Sequence, residues 1–261
     1  MFESVGEYAK AEEYLHKALT INTKIGDKHG EASCYINLGN VFRCVGEYAK
    51  AEEYLYKALT INTEIGDKNG EASCYIILGT VFESVGEHAK AEEYLHKALT
   101  INTKIGYKNG EASCYINLGS MFGSVGEYTK AQEYLHKALT IKREIGDKKG
   151  EASCYGNVGI MFKSIGEYAK AEEYLYKALT IKTEIGDKDG EAKCYINLGH
   201  LVFKVGKWAK AQKYFENALQ IIRGTGNIDL QFQTFLSLHK CSLKITGNTS
   251  CLLYTSPSPR D

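Results

Sequence analysis

Apolar positions along this chain recur with a helical period, and they do so twice within every forty residues. Between Glu31 and Val45, Tyr35, Leu38 and Phe42 are spaced to share one face of a helix. Gly46 follows, and glycine takes the left-handed backbone that a helix C-terminus commonly needs. A second amphipathic stretch starts near Glu47, an acidic residue where the helix dipole favours it. It runs through Tyr48, Ala51, Leu55, Ala58, Leu59, Ile61 and Ile65 to Gly66. Asp67-Lys68-Asn69-Gly70 reads as a turn into the next unit. Small residues stand where the two helices of a pair must approach: Gly39 on the first, Ala51 and Ala58 on the second.

The same sentence of residues is then repeated. Residues 31–70 and 71–110 are identical at 32 of 40 positions, and the pattern returns at Glu111, Glu151 and Glu191. A single-core enzyme has no physical reason to repeat itself at a fixed interval. A stack of like units does, because each must present the same face to its neighbour. The pattern therefore predicts an all-α protein built from helix pairs.

Tyr35, Leu38, Gly39, Phe42, Gly46, Tyr48, Ala51, Ala58 and Leu59 together resemble the tetratricopeptide repeat signature. Tyrosine stands where that family often has tryptophan, Thr63 replaces the usual closing proline, and the period is forty rather than about thirty-four. The long second helix and the Ile65-to-Ala72 connection are similar to the subgroup of Partner of Inscuteable proteins and their G-protein-signalling-modulator relatives. Kinesin light chain has similarly long units. The resemblance implies a right-handed superhelical solenoid of antiparallel helix pairs, with first helices on a concave surface that binds partner proteins and with no cofactor. It covers about residues 1–250: an incomplete repeat over 1–30, repeats over 31–70, 71–110, 111–150, 151–190 and 191–226, and a degenerate terminal helix over 227–250.

The two ends depart from the pattern. Met1-Phe2-Glu3-Ser4-Val5-Gly6 matches the end of a first helix, as in Val81 to Gly86, so Tyr8 to Ile25 is expected to form a second helix without its partner. Met121 and Met161 occupy the position equivalent to Met1. These features lead to the expectation of a fragment of a longer repeat protein, whose uncapped ends could self-associate. Towards the other end, Trp208 replaces the tyrosine of Tyr48, and Ile228 to Ile245 fits a further first helix. Leu230, Phe235, Leu238 and Leu243 are available there to cover the preceding unit, and Gly247-Asn248 would open another second helix. Residues 251–261 share nothing with the repeat, hold both prolines, and read as a tail or a translated cloning scar.

Composition narrows the function. The chain has 261 residues, 44% hydrophobic and 25% charged, with 32 basic against 32 acidic side chains, which fits a folded repeat protein and not a disordered one. No apolar run approaches a membrane span and no secretory leader is visible, so a cytoplasmic location is expected. Zero net charge and the absence of a continuous basic stripe count against nucleic acid, including RNA binding by a helical repeat.

The candidates for chemistry mostly fail. Cys34, Cys74, Cys114, Cys154 and Cys194 recur once per repeat, too far apart across packed helices to pair, and read as small half-buried core residues. Cys44, Cys241 and Cys251 break that pattern as free thiols. No zinc spacing and no phosphate-binding loop is present, so neither metal nor cofactor is expected. His16, His96 and His136 share a slot with Tyr56 and Tyr176, a tolerance that argues against catalysis. The pairs Glu52-Glu53 and Glu92-Glu93 lie among Lys50, Lys57, Lys90 and Lys97 and read as a solvated face. The sequence predicts no enzyme.

Variation between matching units points elsewhere. It concentrates on one side of the first helices: Asn40, Arg43 and Cys44; Thr80, Glu83 and Ser84; Ser120, Gly123 and Ser124; Ile160, Lys163 and Ser164; His200, Phe203 and Lys204. Two readings fit, a surface shaped to a ligand and neutral drift on a solvated face. Asn37, Asn117, Asn157 and Asn197 instead recur, at the site where relatives of the resembled family hold an extended peptide, and Ile77 interrupts them. An amide can donate to a peptide carbonyl and accept from its N–H, although a structural hydrogen bond would use the same residue. Lys163, Lys193, His200 and Lys204 gather positive charge in the later repeats while Glu83 sits earlier, so the ligand's acidic end is expected over the last full repeats. The expected function is a scaffold that binds an extended peptide of a partner protein. The alternative is the repeat region of a larger signalling or enzymatic protein, such as a G-protein regulator. If Ala58 marks a tight helix crossing, Ala58→Leu should cost about 1–3 kcal/mol of stability and lower the thermal midpoint measured by circular dichroism.

Overall fold

A computed structural model describes residues 2–225 and 227–246, with side chains from residue 8 onward. Among the described residues there are twelve helices and no strand. They are α1 (Phe2–Ile25), α2 (Lys28–Cys44), α3 (Tyr48–Ile65), α4 (Lys68–Ser84), α5 (His88–Ile105), α6 (Lys108–Ser124), α7 (Tyr128–Glu144), α8 (Lys148–Ser164), α9 (Tyr168–Glu184), α10 (Lys188–Lys204), α11 (Trp208–Ile222) and α12 (Ile228–Thr246). The chain divides into two compact units between Met161 and Phe162. In the first, α2 packs on α3, α4 on α5 and α6 on α7; in the second, α10 packs on α11 and α11 on α12.

Each hairpin is closed by a glycine. Gly46 has φ +82° and Gly66 φ +73°, a region open to glycine and strained for other residues. The residue after each glycine donates back into the helix just ended: Glu47 N–H to the Phe42 carbonyl at 2.9 Å, and Asp67 N–H to the Asn62 carbonyl at 2.8 Å.

First helices begin three residues earlier than the hydrophobic pattern suggests. Asp67 caps α4, its Oδ1 accepting from Gly70 N–H at 3.0 Å, and Asp27, Asp147 and Asp187 do the same for Gly30, Gly150 and Gly190. Lys68-Asn69-Gly70 is therefore the first helical turn, and the connection is only Gly66-Asp67. A side-chain cap is worth about 1 kcal/mol, and α6, where Tyr107 replaces the aspartate, has none.

Within a hairpin the helices touch at the small residues. Leu38, Ala51, Leu55 and Ala58 are fully buried. A Cβ on Gly39 would lie 2.7 Å from Leu55 Cγ, and the same clash recurs at Gly79, Gly119 and, against Phe215, at Gly199. Successive repeats join at Asn62, which is 1% exposed and donates its amide to Cys74 Sγ at 3.6 Å; Asn102 does so to Cys114 at 3.5 Å. Gly70 makes room for it, since a Cβ there would fall 2.5 Å from Asn62 Cγ. The cysteine ladder is thus buried outright, not half-buried as the sequence suggests, and Cys34, Cys74 and Cys114 form the acceptor side of this joint. In later repeats lysine takes over the position. Lys142 pairs with Asp147 at 2.7 Å and donates to Asn109 Oδ1 at 2.8 Å, while Lys182 pairs with Asp187 at 2.8 Å. At the last joint the residue is Ile222, and Asp189 Oδ1 is left buried without a partner.

The terminal helices differ from expectation. α1 runs without a break through Gly6, where the sequence predicts the end of a first helix. Tyr14, Ile21 and Ile25 are exposed, whereas Ile61, the counterpart of Ile21, is buried. On α12 the buried positions are Thr234, Ser237 and Cys241, and Phe235 is 49% exposed rather than covering the preceding unit. His239 occupies the place that glycine holds in the other first helices. Gly247, Asn248, Cys251 and the 251–261 tail lie outside the described residues.

Gly156 differs from the glycines at the helix crossings. It stands on α8 where Ile36, Ile76, Ile116 and Ile196 stand elsewhere, and a Cβ there meets nothing within 4 Å. Gly156→Ala should raise stability by about 0.5–1 kcal/mol, while Gly39→Ala should lower it, both read from urea midpoints.

Candidate functional site

The first helices touch one another directly within each unit, α2 with α4 and α4 with α6 in one, α10 with α12 in the other. The variable positions line these neighbouring helices. In the first unit Asn37 and Asn40 are exposed. Arg43 turns back onto its own helix, its Nε and Nη2 donating to Asn40 Oδ1 at 3.1 and 2.9 Å. Thr80 and Ser84 likewise donate to their own backbone. Asn117 is half-buried and donates to the Ser113 carbonyl at 3.0 Å, so part of its amide is used within its helix and not towards a neighbouring one. Asn157 is half-buried as well. Glu83, half-buried beneath this surface, has its carboxyl pKa pushed up by burial, with His88 opposing the shift.

The second unit carries the opposite charge. Lys163, in the last turn of α8, is half-buried, and burial together with Lys204 lowers its pKa. His200 stands edge-on to Phe215 with ring centroids 5.0 Å apart. Burial, Lys163 and Lys240 all push its imidazole pKa down. Lys204 lies over the Tyr168 ring at 5.8 Å. The structure thus brings Lys163, His200 and Lys204 together. Lys193 is not part of the group: it is exposed, seven residues before His200, about 10 Å back along α10. Asn197 is half-buried between them on the same helix. Lys240 was missed from sequence, although the forty-residue register carries His200 straight onto it.

The remaining groups have structural work. His16 and His96 meet Tyr54 and Tyr134 edge-on at 6.2 and 6.3 Å, and the Tyr56 hydroxyl hydrogen-bonds that of Tyr94 at 2.6 Å, so the shared slot packs one repeat on the next. Glu53 pairs with Lys57 at 2.6 Å and Glu93 with Lys97 at 2.7 Å. Those lysines also lie over Tyr54 and Tyr94, each the middle ring of a Tyr–Tyr–Phe group such as Tyr35, Tyr54 and Phe42. A cleft between the start of α10 and the end of α11 is lined by Lys188 and Glu191, which neutralise each other at 2.9 Å. Among the described residues no cluster of His, Cys, Asp and Glu could hold a metal, and no helix is long and apolar enough to cross a membrane.

Tandem helical hairpins with closely recurring interiors and variable first-helix faces define a helical-repeat protein. Comparison with known families agrees: tetratricopeptide repeat profiles match residues 1–64, 35–104, 70–144 and 110–184, and another matches 192–225. The chain belongs to the tetratricopeptide repeat family. No curated protein matches it by sequence. Similar solved structures include BtubC (BKLC) from P. vanneervenii, 20% identical with a TM-score of 0.68 over 84% of this chain and 92% of that one. A Rap protein complexed with Competence and Sporulation Factor is 17% identical, with a TM-score of 0.67 over 94% and 72%. A kinesin-light-chain-like protein of Podosopora anserina with nearly identical repeats is 15% identical, with a TM-score of 0.56 over 74% and 95%. At these identities the likeness is one of fold.

Burial pushes the Cys74 thiol up to about 12 and those of Cys114, Cys154 and Cys194 up to about 11. Cys44 is exposed beside Arg43. In a Cys251→Ser background at pH 8, a maleimide should label Cys44 within minutes and these four only after denaturation, as read by peptide mass spectrometry.

Proposed function

We propose that this chain is a non-catalytic scaffold that holds an extended segment of a partner protein against the exposed faces of its first helices. The observation that carries this reading is the division of labour within the repeat. Positions facing the hairpin and the joint, such as Leu38, Gly39, Ala51 and Leu55, recur almost without change. Adjoining exposed and half-buried positions on the first helices change from Arg43 to Glu83, Gly123, Lys163 and Phe203. A surface made by rigid, short-connected helices keeps its shape while its chemistry varies, which is what discrimination among extended ligands requires. A solved relative in fold, the Rap protein, is complexed with Competence and Sporulation Factor, which supports a recognition role for such arrays.

Asn117 and Asn157 supply the sequence-tolerant part of the grip. The Asn117 amide retains an oxygen and a second hydrogen beyond its bond to Ser113. Phage display of neutral twelve-residue peptides should yield binders that lose about 1–3 kcal/mol of affinity with the Asn117→Ala/Asn157→Ala double variant, by isothermal titration. Glu53→Ala, on the second-helix face, should leave them unchanged. Binders indifferent to the double variant, or protecting second helices in hydrogen exchange, would overturn the groove reading.

A further inference from the structure

We propose that Asn109-Gly110 is a self-modifying site, where the Asn109 side-chain amide is displaced by the Gly110 backbone nitrogen and replaced by water. The fold confines this deamidation to one of two identical motifs. Residues 68–76 and 108–116 both read Lys-Asn-Gly-Glu-Ala-Ser-Cys-Tyr-Ile. An asparagine before glycine is open to such attack because glycine carries no side chain to crowd its own nitrogen. Asn69 and Asn109 are both exposed, and their local sequence makes them equally reactive. Any difference between them comes from the fold.

The two glycine nitrogens are held differently. Gly70 N–H donates to Asp67 Oδ1 at 3.0 Å, which engages that nitrogen and closes the first turn of α4. Tyr107 stands in the place of that aspartate, and no side chain caps α6. Its ring lies against Gly110, since a Cβ there would fall 2.6 Å from Tyr107 Cδ1, but it brings no carboxylate to the N–H. The rest of the turn is alike in both: Lys68 pairs with Glu71 at 2.5 Å and Lys108 with Glu111 at 2.8 Å. In a closed helical turn the side-chain carbon and the next backbone nitrogen are kept apart, so the reaction runs through local opening. Losing a side-chain cap enlarges the open population about fivefold.

The carbon under attack differs as well. Buried Lys142 donates from Nζ to Asn109 Oδ1 at 2.8 Å. An ammonium at that oxygen draws electron density from the amide carbon and stabilises the oxyanion formed when nitrogen adds. The corresponding residue one repeat earlier is Asn102, a neutral amide that donates to Cys114 Sγ instead.

The steps balance with water as the sole co-reactant. Gly110 nitrogen loses its proton to solvent and bonds to Asn109 Cγ. The Cγ–Nδ2 bond then breaks, and the amide leaves as ammonia with a proton from solvent, closing a succinimide ring. Water opens the ring at either carbonyl and leaves aspartate or isoaspartate. The repeat accommodates an aspartate here, because Asp189 already holds this position in the last full unit. Isoaspartate instead moves a methylene into the backbone and lengthens the first turn of α6. The reaction needs no ligand and is independent of the groove reading.

The test incubates the full chain at pH 8 and follows both sites by mass spectrometry. Tryptic peptides beginning at Asn69 and Asn109 diverge at Ile77 and Asn117, so the two are resolved. In the native chain Asn109 should convert about fivefold faster than Asn69, or more. In urea the two should convert at one rate. Tyr107→Asp, which restores the residue found at Asp27 and Asp67, should slow Asn109 about fivefold, and Asp67→Ala should quicken Asn69 by a similar factor. Lys142→Asn, the residue type at Asn62 and Asn102, should slow Asn109 and leave Asn69 unchanged. Isoaspartyl methyltransferase should label the Asn109 peptide, at a rate that rises with pH as the attacking nitrogen loses its proton. Circular dichroism checks the fold of each variant. Equal native rates at the two sites, or an Asn109 rate that neither Tyr107→Asp nor Lys142→Asn lowers, would overturn the proposal.

Discussion

Where Gly39 faces Leu55, the backbones of paired helices come so close that a single methyl would lie 2.7 Å from the leucine Cγ. Everything larger is organised around that approach. It sets the separation of the two helices, lets Leu38 and Leu55 seal the interior with alanines between them, and leaves the aromatic residues to stack along the seam. The same glycine recurs in successive hairpins, so each unit has the same thickness and can meet the next in the same register. The exposed residues of the first helices inherit a fixed geometry from this contact without contributing to it.

A second constraint acts between units. Asn62 is buried at a joint that Gly70 leaves open and Cys74 completes. Farther along, buried lysine replaces the asparagine, satisfied by the aspartate that also caps the next helix. Two solutions to the same buried polar position follow one another in a single chain. A neutral amide needs only modest partners, whereas a buried ammonium calls for a carboxylate, and removing Asp187 would take that carboxylate from Lys182.

Most of the fold was legible because its determinants are local and repeated. Helix periodicity, the glycine stops at Gly46 and Gly66 and the small residues at the crossings all occupy the expected places. What escaped depends on side chains reaching across elements. Asp67 looked like part of a turn because its hydrogen bond to Gly70 is invisible in a hydrophobic pattern. The burial of Cys34, Cys74 and Cys114 escaped because their amide partners lie twelve residues away in sequence. Of the surface, the pairing of Arg43 with Asn40 and the separation of Lys193 from His200 required coordinates, and Lys240 required carrying the register into a helix whose other residues had drifted.

His239 has a consequence of its own. The glycine at its equivalent positions is what admits a second helix to the pair, and at this position α12 carries an exposed histidine instead. α12 is therefore closed to a hairpin partner in the geometry used elsewhere, while α1 keeps its receiving side with Tyr14 and Ile21 uncovered. A second helix laid against α12 as α3 is laid against α2 would meet the His239 Cβ where Leu55 meets Gly39.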